Sequence, residues 1–328
     1  MLGFLARRLG WFVITLFSVV TVSFLLMKSV RGGPFDNERE LPEAIERNIE
    51  ARYHLDWPLW RQYLQYVGPF NLDEERATFL GGEGGHVFGG VLAGDLGPSF
   101  KLQDFTVNDV IAQALPVSAA LGVVALFWAL LLGLSTGILS ALYRGGKLDV
   151  AMRLLATGGI ALPNFVIASF LILVFVFWLE LLPVAGWGTL AHLVLPGFAL
   201  GAPFAAYISR LTRTGMLEVL SQDHIRTARA KGLPPHTVLL RHAFKGGVLP
   251  VVSYLGPATA GILTGSLVIE KIFAIPGLGT HFVNSALNRD YTLSMGVTIL
   301  YTVLVYALNT LVDFVYTLLD PRIELEEA

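Results

Sequence analysis

Several residues in this 328-residue chain have the types or spacing that chemistry requires. Gly133-Leu134-Ser135-Thr136-Gly137 fits G-x-S-x-G, the pattern of a serine nucleophile. That chemistry needs the serine on a strained strand-to-helix turn. Here Ser135 lies inside a long apolar run, so the two glycines read as a helix-packing device. An intramembrane protease would rest on Ser135 alone. Glu270 and Asp313 stand at or inside the ends of apolar stretches. An ionisable group at membrane depth is a candidate for function. The competing reading is a hydrated or paired group near an interface, Glu270 with Lys271.

The remaining reactive types exclude more than they offer. The seven histidines show neither H-E-x-x-H nor paired spacing for zinc, and His224, His236 and His242 read as solvated. With no cysteine, disulfides, thiolate metal sites and cysteine catalysis are ruled out. Gly146-Lys147 is followed by Leu148, so a Walker-type lysine is lacking, and ATP hydrolysis would need another chain. The expectation is a chain without catalytic residues, metal or bound cofactor.

The most informative stretch is Ser221 to Pro250, SQDHIRTARAKGLPPHTVLLRHAFKGGVLP. It is strongly basic, yet it lies between segments apolar enough to cross a membrane. Ser221 can cap a short helix, and Gly232 followed by Pro234 and Pro235 can end it. Ile225, Ala228 and Gly232 fall at i, i+3 and i+7, a small or apolar stripe. Arg226 and Arg229 run beside it. The spacing predicts a compact helix offering a close-approach face, ringed by positive charge, to another protein.

The elements that must position these residues are membrane helices. Charged residues are 15% of the chain against about 25% for soluble domains, and mean hydropathy is +0.63. Apolar runs predict six spans: Trp11–Met27, Val117–Leu142, Leu154–Leu182, Ala191–Ser209, Gly247–Ile269 and Thr292–Leu319. The first follows Arg7 and Arg8, and the absence of an A-x-A-like site after it predicts a retained anchor. Lys and Arg crowd the connection at Arg144–Arg153 and the stretch Arg210–Lys245. Pro183–Leu190 and Lys271–Tyr291 hold only Lys271 and Arg289. The positive-inside rule then places both termini and the basic stretch in the cytoplasm.

The resulting organisation is residues 1–28 for the N-terminus and first span, 29–115 for an extracytoplasmic segment, 116–319 for a five-helix core and 320–328 for the C-terminus. Within 29–115, Pro42–Tyr53 and Pro58–Val67 predict short amphipathic helices, the second with Leu59, Tyr63 and Val67 on one face. Gly81–Gly94 predicts a loop. Prolines and glycines interrupt the spans, and such breaks survive where neighbours or a cavity satisfy the freed backbone. The span Gly247–Ile269, with Gly261 and Gly265 as G-x-x-x-G, is the expected pathway wall.

Residues Ile225–Leu233, IRTARAKGL, resemble the EAA loop of ABC importer permeases, which fits a groove on the ATPase subunit. GDLGPSF at 94–100, LPNF at 162–165, TRTGMLEVL at 212–220, RHAF at 241–244, IPGLG at 275–279, NRDY at 288–291 and DPRI at 320–323 resemble the peptide-transporter branch. GPFDNERELP, IEARYHL and TGSLVIE are most similar to its B-type oligopeptide permease subunits. Two departures stand out: Arg226-Thr227-Ala228 replaces Glu-Ala-Ala, and Asn71–Ala93 reads as an insertion.

The resemblance implies an all-α, six-helix type I importer fold in the bacterial inner membrane. It implies a homologous second permease, two ATPase subunits holding ATP and Mg, an extracytoplasmic peptide-binding protein, a peptide substrate and membrane lipids as partners, with no nucleic acid. Ile225, Arg226, Ala228, Arg229, Gly232 and Leu233 would couple to the ATPase. Gly261, Gly265, Glu270, Pro276, Gly277 and Asp313 are the pathway or gate candidates. The alternatives are an importer of dipeptides, nickel or another small solute, and a peptide receptor or scaffold that moves nothing.

Overall fold

The computed structural model describes residues 2–29, 54–69, 72, 89–102 and 104–319. Among these the structure is helical throughout, with one isolated bridge between Pro98 and Thr106. In hydrocarbon only helices or closed barrels satisfy every backbone group, and long unalternating apolar runs select the helix. The elements are α1 (Leu2–Ser29), α2 (Leu59–Val67), α3 (Val107–Leu142), α4 (Lys147–Ala161), α5 (Asn164–Trp178), α6 (Ala191–Leu220), α7 (Asp223–Ala230), α8 (Pro235–Gly247), α9 (Leu249–Ile272), α10 (Leu278–Leu287) and α11 (Tyr291–Leu319). Four described helices are long and apolar enough to span a membrane, six if each of two bent pairs is one span.

Several boundaries differ from those read in the sequence. The second span begins at Val107, because Pro116 sits inside α3 and the helix continues through it. The proline ring removes one backbone donor without forcing the chain out of the helix. The third, Leu154–Leu182, is broken. α4 stops at Ala161 and α5 starts at Asn164, turned by 109°. Leu162 is extended (φ −89, ψ 128), the conformation that the following Pro163 ring imposes on it. The last seven residues of α5, Ile172–Trp178, run in π register. The fourth span continues to Leu220, and α8 meets α9 at 51°.

The described chain forms two compact units. The first takes residues up to Pro116 together with Thr280–Leu304. Its core joins Val20 and Phe24 of α1, Tyr66 of α2, and Met295 and Ile299 of α11. Phe24 meets Tyr63 edge-on at 5.3 Å, and the Tyr63 hydroxyl pairs with Thr21 Oγ1 at 2.6 Å. The inward face of α2 is therefore Tyr63, Tyr66 and Val67; Leu59 is 55% exposed, off the face expected for it. The expected helix Pro42–Tyr53 lies outside the described residues, as does Gly81–Phe88 of the expected loop.

Asp290 closes this unit. Its buried carboxylate accepts from the Ser99 hydroxyl and from the backbone N–H groups of Phe100 at 3.1 Å and Lys101 at 3.3 Å. Thr292 Oγ1 donates to Pro98 O at 2.6 Å. GDLGPSF and NRDY, remote in sequence, are thus one hydrogen-bonded locus.

The second unit is, among the described residues, Val117–Gly279 with 305–319. α6 runs through it, approached closely by its neighbours. A Cβ on Gly133 or Gly137 of α3 would lie 2.6 Å from Ile208 Cγ2 or 2.5 Å from Thr212 Cβ of α6. These glycines are a helix contact, as the sequence predicted, and Ser135 stands mid-helix and exposed. A Cβ on Gly215 of α6 would lie 2.4 Å from Gly247 O. The outer faces of α3 and α5 expose Val123, Phe127, Phe170, Leu173, Phe177 and Trp178, surface suited to lipid.

Candidate functional site

The basic stretch folds as α7 and α8. Ser221 does not start α7. It ends α6, with Ser221 Oγ donating back to Glu218 O at 2.7 Å. Gln222 takes the capping position in extended conformation (φ −75, ψ 154), and its carbonyl accepts from the N–H of Ile225 and Arg226. A serine whose hydroxyl is turned back onto the preceding helix is not aimed at the next one's free N–H groups. The far end matches expectation. Gly232 adopts φ +77, its N–H donates to Arg229 O at 2.9 Å, and the Leu233 N–H donates to Ala228 O at 3.3 Å. This is the two-bond Schellman closure, whose left-handed residue favours glycine.

The faces of α7 are reversed from the reading of the stripe. Ile225 is 0% and Ala228 5% exposed, packed with Met216, Val219, Val238 and Ala243 of this same chain, with Leu233 against them. Burying an isoleucine is worth about 2–3 kcal/mol, more than any surface contact α7 makes. The apolar stripe is therefore the foot of the helix. Its outward residues are Asp223, Arg226, Arg229, Lys231 and Gly232, all exposed. The Asp223–Arg226 pair at 3.3 Å is fully in water, so it adds little. An ideal Cβ on Gly232 meets nothing among the described residues within 4 Å. His224 and His236 are exposed and His242 is half-buried.

Asp149, unremarked in the sequence among the basic residues around it, lies at the centre of a clamp. It is 1% exposed in the first turn of α4. Arg213 of α6 forks onto it, Nε to Oδ1 at 2.9 Å and Nη2 to Oδ2 at 3.0 Å. Ser140 Oγ of α3 donates to Oδ1 at 2.5 Å, and the Gly145 N–H donates to Oδ2 at 2.9 Å. Arg153 adds a pair at 3.4 Å. A lone carboxylate amid Arg144, Lys147 and Arg153 was the available sequence signal.

Glu270 is another buried carboxylate, 0% exposed at the end of α9. Ser118 Oγ donates to Glu270 Oε1 at 2.7 Å and accepts the Leu278 N–H at 2.8 Å. Gly277 packs so closely that a Cβ there would lie 2.5 Å from both Glu270 Oε2 and Ser118 Oγ. Lys271 beside it is exposed. The helix ends in a second Schellman closure: Ala274 N–H to Lys271 O at 3.4 Å and Ile275 N–H to Glu270 O at 2.9 Å. Its left-handed residue is Ala274, φ +49.

The other candidates are dispersed. Pro276 is exposed beside the Glu270 locus. Gly261 backs onto the Phe204 ring of α6, 3.1 Å from an ideal Cβ, so it serves a helix contact. Gly265 lies within α9, and Asp313 is half-buried in α11. The structure thus brings Glu270 and Gly277 together and adds Ser118, which sequence spacing could not link across 152 positions.

Known proteins resemble this chain. Residues 133–325 match the family model "Binding-protein-dependent transport system inner membrane component". The oligopeptide transport system permease protein OppB of Escherichia coli (strain K12) is 44% identical over 325 residues, 98% of this chain and 99% of that protein. The dipeptide transport system permease protein DppB of Bacillus subtilis (strain 168) is 43% identical over 327 residues, 100% of this chain and 99% of that one. A solved structure of inward-facing conformations of the MetNI methionine ABC transporter matches with TM-score 0.56 at 18% identity, covering 64% of this chain and 96% of its own.

Proposed function

This chain belongs to the family of binding-protein-dependent transport system inner membrane components, and from that premise we propose that it is a permease subunit of an ATP-driven oligopeptide importer. It lines half of the pathway, beside a homologous permease. Two ATPase subunits holding ATP and Mg lie on the cytoplasmic side with both termini, and a peptide-binding protein delivers substrate outside. The observation that carries the reading is α7: a short helix whose apolar foot is anchored in its own chain and whose exposed face is cationic and ends in an open glycine.

Coupling residues then divide by role. Ile225, Ala228 and Leu233 fix α7 to its own chain, while Arg226, Arg229 and Gly232 meet the ATPase. Movement of that subunit carries α7 with it and rocks the permeases about a central site. The Glu270–Gly279 segment, with Pro276 and Gly277, forms the external gate, and the α9 glycines Gly261 and Gly265 back the pathway wall, with Asp313 on α11. Peptides share a backbone and differ in side chain, so a weakly selective cavity suffices.

The test is affinity purification of the tagged chain from membranes, with accumulation of labelled peptide in reconstituted vesicles. The expected result is two copurifying ATPase copies and ATP-dependent uptake of oligopeptides. A preparation with no nucleotide-hydrolysing partner overturns the importer, and binding without accumulation makes the chain a receptor. The similarity to DppB over the whole chain favours one second reading, a dipeptide importer. Uptake of dipeptides alone would establish it.

A further inference from the structure

We propose that Asp149 and Arg213 are the joint that passes movement of α7 to the broken helix pair α4–α5. The inference rests on the reading of α7 as the ATPase-coupling helix. α6 is joined to α7 through Ser221 and Gln222 alone, and backbone bonds from both run back to Glu218 and Val219. Displacement of α7 therefore arrives at the end of α6. Arg213 lies seven residues before that end, two helical turns up. There its fork grips Asp149.

The grip has the geometry of a joint. A bidentate guanidinium–carboxylate pair fixes angle as well as distance, which a lysine could not do. The same carboxylate is held by Ser140 of α3 and by the N–H of Gly145 in the intervening turn. One buried group thus ties the end of α3, the start of α4 and α6. Further along, Gly159 of α4 packs against α6, with an ideal Cβ 3.0 Å from Ala206. α4 consequently follows α6 along its length. Beyond Pro163 the chain turns 109° into α5, so tilting α4 swings α5 across a different direction. Asp149 and Arg213 touch no substrate; they are positioning residues.

The experiment uses the complete reconstituted transporter and reads peptide moved per ATP hydrolysed. In the same preparations, a cysteine cross-link from Lys231→Cys, exposed beside the contact residues, to the ATPase subunit is recorded. Asp149→Asn is expected to assemble with its ATPases and hydrolyse ATP, yet to lose about tenfold in peptide per ATP, a typical coupling magnitude. Arg213→Lys, which keeps the charge and loses the fork, should lose less in the same direction. The double variant Asp149→Asn with Arg213→Gln should fall no further than Asp149→Asn, because the two act as one unit. An unchanged ratio in Asp149→Asn, with the cross-link present, overturns the joint alone. Absence of the cross-link in the otherwise unsubstituted transporter overturns the reading of α7 and the joint with it. If Asp149→Asn does not accumulate in the membrane, Arg213→Lys decides, and a normal ratio there overturns the proposal.

Discussion

Helices α7 and α9 end in the same two-bond turn with opposite residues at the left-handed position. α7 uses Gly232 at φ +77, exposed, where an ideal Cβ would meet nothing among the described residues within 4 Å. α9 uses Ala274 at φ +49, where an L-residue costs roughly 1–2 kcal/mol. What holds the alanine is its surroundings: Phe273, Ile275 and Leu278 are each 1% exposed, and Glu270 is sealed beneath them. At the surface, residue type sets the turn. At the end of α9, where Ala274 is itself exposed but Phe273 and Ile275 on either side are buried, packing of the neighbours overrides the preference of the residue. Charge follows the same division, since α7 keeps its apolar foot inside and its arginines out, whereas the end of α9 carries its carboxylate inward.

The sharpest way to break this comparison is at the interior end. Glu270→Ala removes the acceptor of Ser118 and leaves a void, and is expected to destabilise by about 3 kcal/mol in thermal unfolding of the detergent-solubilised protein. Glu270→Gln, which keeps shape and an acceptor, should cost clearly less; equal losses would mean that the site is merely filled volume. Next in size is Gly277→Ala. Its Cβ collides with Glu270 and Ser118, and a loss of about 2 kcal/mol is expected.

Gly232→Ala meets only open space, so its cost is conformational, about 1 kcal/mol. A larger loss there than at Gly277 would reverse the comparison. Gly232→Leu adds bulk on the exposed face and should abolish uptake at normal expression. Smallest is Ala274→Gly, which relieves the left-handed alanine at some entropic cost and should raise stability by less than about 1 kcal/mol. A clear loss would show that the alanine methyl is needed more than its backbone is strained.

How far these sites were legible depends on the range of their signals. Gly232-Leu-Pro-Pro announces a helix end within four residues, and the end is there. Ile225 and Ala228 announce an apolar face. Nothing local says what covers it, and the cover is Met216, Val219, Val238 and Ala243 of the same chain. Pro163 marked a break that span length alone concealed. Ser118 carries no local mark at all, because its hydroxyl matters only where α3 meets the end of α9.

By itself the sequence determined that the chain is a bundle of membrane helices, where Gly232 stops α7, and that Gly133 and Gly137 lie at a close contact. These follow from backbone preference, from apolar run length and from small residues spaced on one helix face, all short-range quantities. Only the tertiary structure decided that the small stripe of α7 turns inward, that α4 and α5 diverge by 109°, and that Asp149 and Glu270 are buried with their partners. Burial of a carboxylate requires donors converging from separate helices, and that convergence exists only once the helices have packed.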